Sequence, residues 1–433
     1  MQTRLAPEFE GTPDGTAAEA ILRKCVHCGF CTATCPTYQL LGDELDGPRG
    51  RIYLMKQVLE GATPTRATQH HLDRCLTCRN CETTCPSGVE YGHLVEIGRR
   101  VVDAKVDRAP RERALRWMLR EGLTSPLFAP AMKLGQALRP LIGRTLQAKV
   151  PPAPDAADAA RARRWPQRTH ARRMLLLAGC VQPAMRPNVN AATARMLDVA
   201  GIQAVVAEGE GCCGAIRAHN GDPAGGLDDM RRNIDAWWPW VEGREGAGPV
   251  EAIVMNASGC GVTVKEYGHA LAHDPEYARK ARRVSELTRD LSELVPDLLP
   301  AWSLHAQERH HAQAGAPANP GTLVFHPPCT LQHGQQLRGG VETALRGLGF
   351  EVRLAATESH LCCGSAGTYS VLHAHLASSL RDRKLAALGA ATSPEAPPRA
   401  IVSANIGCIT HLQSGTATPV RHWVEVVDEH LIP

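Results

Sequence analysis

The chain has 433 residues, 43% of them hydrophobic and 21% charged, with a net charge of +4. It is too long for one compact core but ordinary in composition for a soluble globular protein, and its interspersed charges leave no long basic face, which argues against nucleic-acid binding. The anomaly is sixteen cysteines. The N-terminal residues lack an apolar signal core, and no apolar run approaches the ~18 residues of a membrane span. The expectation is a cytoplasmic chain, in which cysteines serve metals or redox work rather than disulfides.

The first elements surround "CVHCGFCTATCP", with Cys25, Cys28, Cys31 and Cys35 spaced C-x2-C-x2-C-x3-C before Pro36. The motif recurs 50 residues on as "CLTCRNCETTCP", with Cys75, Cys78, Cys81 and Cys85. Zinc sites usually use two separated C-x2-C pairs. This run instead matches that of bacterial two-cluster ferredoxins, whose first three cysteines bind one cluster and whose fourth crosses to the other. The match expects two [4Fe–4S] clusters, one on Cys25, Cys28, Cys31 and Cys85, the other on Cys75, Cys78, Cys81 and Cys35. Four thiolates complete each site, so His27 is not read as a ligand. Ile52, Met55, Val58 and Leu59 mark a helical face between the motifs, and Leu94, Ile97 and Val101 mark another after them. Residues 1–107 are read as a small helical di-[4Fe–4S] ferredoxin-like domain. So short a segment buries little apolar area, and metal would supply much of its stability.

Residues 108–170 read as a helical connector broken by Pro126, Pro130 and Pro140, then a solvated Pro/Ala/Arg-rich linker. From Met174 the texture becomes alternating strand and helix: "MLLLAGC", a helix through Val189, Ala192, Met196 and Val199, "IQAVVAEGEGCCG" and "EAIVMNASGC". The same grammar returns as "TLVFHPPC", "GGVETALRGLGF", "EVRLAATESHLCCG" and "RAIVSANIGC". Such alternation predicts two α/β domains with largely parallel sheets, at 171–300 and 321–433, with an exposed connector at 301–320. The fold class expected is α+β multidomain.

Cys180, Cys212, Cys213 and Cys260 match Cys329, Cys362, Cys363 and Cys408 at offsets of 148 to 150 residues. All sixteen cysteines therefore belong to one repeat or the other, which argues against accidental placement. Each of these eight follows a strand, and in open α/β sheets ligands sit beyond the carboxyl strand ends. A glycine after each Cys-Cys pair permits backbone conformations that a β-carbon blocks. The eight form a candidate set for a third iron–sulfur cluster, pooled between two repeats that face each other. The alternative is two inert cysteine clusters.

Two [4Fe–4S] motifs followed by paired Cys-Cys-Gly repeats resemble the cysteine-rich family shared by heterodisulfide reductase subunits, the anaerobic glycerol-3-phosphate dehydrogenase small subunit and lactate-utilisation proteins. The stretches around the two motifs look most like the iron–sulfur subunits of bacterial glycolate oxidases. The broader family often ends each repeat with C-x2-C, whereas this chain has Ala257 and Asn405 at the first of those positions. The resemblance implies an electron-transfer subunit of an oxidoreductase complex, with FAD-bearing subunits as partners and a quinone or other respiratory acceptor downstream. It also implies peripheral association with the cytoplasmic face of the inner membrane. Hydride transfer from glycolate needs a flavin or nicotinamide. The chain has no G-x-G-x-x-G after a strand and no nucleophile–base constellation. No catalytic residue and no flavin are therefore expected here, and the isolated chain is not expected to oxidise glycolate. The alternatives are electron transfer for D-lactate or glycerol-3-phosphate oxidation, or a disulfide reductase.

Overall fold

The computed structural model describes residues 1–143, 147, 149–244, 248–312, 320–391 and 397–432. Its N-terminal part is helical. Thr12 accepts from Gly15 N–H and caps the helix Pro13–Lys24, and prolines at the first turn open Pro36–Leu41 and Pro48–Leu59. The helix Tyr91–Lys105 closes the unit, burying Leu94, Val95, Ile97 and Val102. These residues share one core with Leu22, Ile52, Met55 and Leu72, and with Cys25, Cys75 and Cys81.

Two four-stranded, wholly parallel sheets follow. The first contains β1 (Arg172–Leu176), β2 (Ile202–Val205), β3 (Ile253–Met255) and β4 (Thr288–Asp290). The second contains β5 (Thr322–Phe325), β6 (Glu351–Leu354), β7 (Ala400–Ser403) and β8 (Val420–His422). Their spatial orders, β2-β1-β3-β4 and β6-β5-β7-β8, are the same topology repeated. The chain turns to opposite sides after β1 and β3 in one sheet, and after β5 and β7 in the other. The loops carrying Cys180 and Cys260, and Cys329 and Cys408, leave the sheets at those switch points, whereas the Cys-Cys pairs follow the edge strands β2 and β6.

The repeats are not separate bodies. Leu176 and Val254 of the first sheet, Phe325 and Val402 of the second, and the buried Trp302 and Trp423 lie in one apolar core. Trp302 Nε1 donates to Met196 O at 2.9 Å, and the two indole centroids are 6.4 Å apart. Where the repeats meet, Ser258 N–H donates to Ala404 O and the buried His422 Nε2 lies 2.8 Å from Asn256 O.

Two sequence expectations need correction. The region read as an exposed connector is helical up to its described limit, because the helix Val295–Ala312 runs through it with Trp302 as an anchor; residues 313–319 lie outside the described residues. The stretch read as a solvated linker contains the helix Ala156–Ala162, which is docked. Arg161 and Arg195 both pair with Asp428, which is fully buried, and Arg195 also donates to the carbonyls of Arg161 and Arg164. One of the arginines that suggest solvation, Arg161, is held by an internal carboxylate.

Candidate metal centres

The two ferredoxin-type motifs fold alike. His27 and Gly29 adopt left-handed backbone, with φ of 55° and 84°, and their counterparts Thr77 and Arg79 do the same, with φ of 51° and 58°. Such turns are costly for residues with a β-carbon and are held only where the surroundings demand them. Here they curl each C-x2-C-x2-C run around a cavity. The first cavity is lined by Cys25, Cys28, Cys31 and Cys85, with Cys81 at its wall. The second is lined by Cys35, Cys75, Cys78 and Cys81. Cys28 is exposed, so the first cavity reaches the surface. His27 borders it, and its Nε2 is buried with no partner among the described residues.

The chemistry of these donors asks for a cation. Burial and then the neighbouring Cys25 push the Cys31 thiol up to about 11. Cys78 and Cys81 stand well above the ordinary thiol range, first through burial and then through adjacent sulfurs. Thiols so crowded cannot ionise together unless positive charge sits among them. Cys75 is the exception. Burial opposes its ionisation, but the guanidinium groups of Arg51 and Arg99 and bonds from Thr77 N–H and Tyr91 O–H hold it below the usual range. Arg51 is itself buried, donating to His71 O at 2.7 Å and pairing with the fully buried Asp46.

The second cavity abuts the second repeat. Cys78 and Leu76 pack with Cys329, Cys362 and Tyr369. Asn80 Nδ2 donates to His360 O at 3.2 Å, and Tyr369 O–H donates to Arg74 O at 3.1 Å.

The remaining cysteines cluster within their own repeats, four and four. In the first, Cys212 is in contact with Cys180 and Cys213, and Cys213 with Cys260. Hydrogen bonds from the Cys180 and Cys213 thiols, then from the N–H groups of Gly214 and Ile216, hold Cys212 far below its usual range. In the second, Cys329 Sγ lies 3.8 Å from Cys362 Sγ, and Cys363 touches both Cys362 and Cys408. Gly214 and Gly364, with φ of +94° and +88°, each sit where an added Cβ would come within 2.6 Å of a carbonyl oxygen. Only glycine fits after either cysteine pair.

Comparison with known proteins agrees with this layout. A 4Fe-4S dicluster domain matches residues 21–89, and a cysteine-rich domain matches residues 174–265 and again 323–413. The glycolate oxidase iron-sulfur subunit of Escherichia coli (strain K12) is 51% identical over 433 residues, covering 100% of this chain and 99% of that protein. The chain belongs to the glycolate oxidase iron–sulfur subunit family. A probable member from Bacillus subtilis (strain 168) is 29% identical over 428 residues, covering 92% of this chain and 89% of that protein. Lactate utilization protein A of Bacillus licheniformis is 25% identical over 261 residues, covering 58% of this chain and 98% of that protein.

A chain of this iron–sulfur subunit family binds iron–sulfur clusters, and the thiol cavities fit that group. Sequence reasoning missed the residues that condition them, Arg51, Asp46, Tyr91 and Arg99, and also His326 beside Cys363 and Cys408 of the second repeat. Arg51 lies in the helix Pro48–Leu59 and Asp46 in the turn before it, and nothing in "LDGPRGRIYLM" marks either as buried or names its partner. His326 had only its place beside a strand end.

Proposed function

We propose that this chain is the electron-transfer subunit of a glycolate-oxidising complex, draining an FAD-bearing partner through two [4Fe–4S] clusters. One cluster is held by Cys25, Cys28, Cys31 and Cys85, the other by Cys75, Cys78, Cys81 and Cys35. The observation that carries this reading is the pair of adjacent four-thiol cavities, one opening at Cys28 and the other packed inside against the second repeat. When bound, such clusters supply one-electron carriers, which suit stepwise removal of the two electrons of a flavin. The protein's part is to crowd thiols around each site, to set Arg51 and Arg99 against the charge at Cys75, and to shield the inner site from water. The substrate assignment rests on similarity to the Escherichia coli protein. The test is anaerobic mixing. Glycolate alone should leave the visible absorbance of the purified chain unchanged, and adding the flavoprotein subunits should bleach it. Bleaching by D-lactate or glycerol 3-phosphate instead of glycolate would transfer the chain to the alternative reading, and bleaching by substrate without flavin would overturn it.

The acceptor side of this reading is a membrane surface. Among the described residues no helix is long and apolar enough to cross a membrane. The helices Pro110–Thr124 and Phe128–Ala137 nonetheless carry Trp117, Met118, Leu127, Leu134, Leu138 and Leu141 at the surface, from 43% to 83% exposed. Leu134 lies in the helix Phe128–Ala137, Leu127 and Leu138 cap it, and Leu141 ends the short turn Arg139–Leu141 that follows. The exposed cations beside them are Arg111, Arg113 and Lys133, whereas the acidic neighbours Glu112 and Glu121 are engaged by Arg108, Arg116 and Arg217. An apolar stripe with a basic rim matches an anionic lipid surface. The complex should float with phosphatidylglycerol vesicles, and Leu127→Ser with Leu141→Ser should abolish that. Wild-type complex that stays in solution, or variants that shed the flavoprotein instead, would assign the face to a protein partner.

A further inference from the structure

The second repeat carries an imidazole that the first lacks. His326 stands immediately after β5, three residues before Cys329, and the residue three before Cys180 is Leu177. His326 is 1% exposed, and both ring nitrogens are buried with no hydrogen-bond partner among the described residues. Its backbone is pinned on both sides, with N–H donating to Val402 O at 2.8 Å and O accepting from Ser403 Oγ at 3.0 Å. A buried polar ring without partners is rare unless something absent from the protein itself satisfies it. Leu177 shows that the fold does not require it for packing.

The missing partner is indicated by what the ring faces. Ligand atoms of His326, Cys363 and Cys408 all lie within 4.8 Å of one another, and all three side chains are buried. Donors bound at roughly 2.0–2.3 Å to one tetrahedral ion stand just under about 4 Å apart, so a small contraction closes this set on a single ion. A four-iron cube holds its ligands on four separate metal corners and spreads them further. Asn405, where relatives of the broader family have a cysteine, donates Nδ2–H to Cys408 Sγ at 3.7 Å. A donor on a ligating sulfur is the usual support of a metal thiolate. The buried Lys384 ammonium lies beside Cys362 and Cys363 and offsets thiolate charge there.

We propose that the second repeat binds one divalent ion of the zinc or ferrous class through His326, Cys363 and Cys408, with the Cys362 thiol adjacent for a fourth position. The first repeat, with Leu177 in the equivalent place, has no such mixed site. This metal is separate from the eight cysteines of the two cavities, so the proposal stands whether or not the complex oxidises glycolate. The experiment is elemental analysis of the full chain, purified anaerobically as wild type, His326→Leu and His326→Cys. One equivalent of zinc or iron should disappear in His326→Leu and return in His326→Cys, while the broad cluster absorbance stays constant in all three. Growth with Co2+ should add thiolate–cobalt bands to the wild type and the His326→Cys protein only. Metal content unchanged by His326→Leu would overturn the proposal, as would loss of several irons together, which would place a cluster at this histidine. If His326→Leu fails to accumulate, His326→Cys decides: that variant without the extra ion removes the site.

Discussion

Asp46 shows how much of this protein turns on single buried charges. Its carboxylate is fully buried and is shared by Arg51 at 3.3 Å, His71 at 3.1 Å and Arg74 at 2.7 Å. Asp46→Ala would strand the buried Arg51 guanidinium beside Cys75, and removing one partner of a buried pair typically costs about 3–5 kcal/mol. A urea midpoint lowered by that amount, with early loss of visible absorbance, is the expected result; a midpoint within error of wild type would contradict it. A second residue-scale prediction concerns crosswise ligation. Cys35→Ser should perturb the centre bordered by Cys75, Cys78 and Cys81, and Cys85→Ser the centre near Cys25. Mössbauer or EPR spectra with each change confined to its own motif would refute the crossing. The motif cysteines could be read in sequence because a metal cradle needs fixed short spacers. Asp46, Arg51 and His326 could not, because their roles depend on partners between 5 and 82 residues away.

At the scale of elements, the docked strap is the clearest departure from the sequence reading. Pro, Ala and Arg over residues 151–173 carry the composition of a free linker, yet Asp428 on the last helix converts one of those arginines, Arg161, into an anchor, and Arg195 of the first repeat holds the carbonyls of Arg161 and Arg164 beside it. Asp428→Ala should release the strap, and trypsin should then cut at Arg163 or Arg164 many-fold faster than in wild type. Equal cleavage rates would show that Trp165 packing alone holds it. The six strands other than β4 and β8 were legible from runs beside cysteine motifs. The edge strands β4 and β8 were not, since "TRD" and "VRH" carry no apolar run and no cysteine motif follows them, unlike the equally short "IVM" of β3. A different feature hid the helix Val295–Ala312, whose apolar face is interrupted by Pro300 and whose end, "HAQERHHA", is polar.

For the whole molecule, the shared core matters more than the duplication. Leu176 and Phe325 belong to different sheets but to one apolar body centred on Trp302 and Trp423. Trp302→Ala should cost about 3–5 kcal/mol and lower the stability of both repeats together, seen as one shifted transition in far-UV circular dichroism. Two separate transitions would mean that the repeats fold independently. The periodicity in sequence indicates that there are two sheets; it is silent on whether they join, because the residues that join them lie on the faces that both copies bury alike.

The packing of Cys78 and Leu76 against Cys329, Cys362 and Tyr369 also imposes an order of events during biogenesis. The inner thiol cavity is roofed by a domain that emerges from the ribosome some 250 residues later, whereas the outer one keeps Cys28 at the surface. If the inner cavity holds the proposed cluster, iron and sulfide must reach it before the roof closes. Apo-protein folded to completion and then supplied with both should regain its outer centre in minutes and its inner one only as fast as the second repeat detaches. Maturation is thereby written into the chain as a deadline.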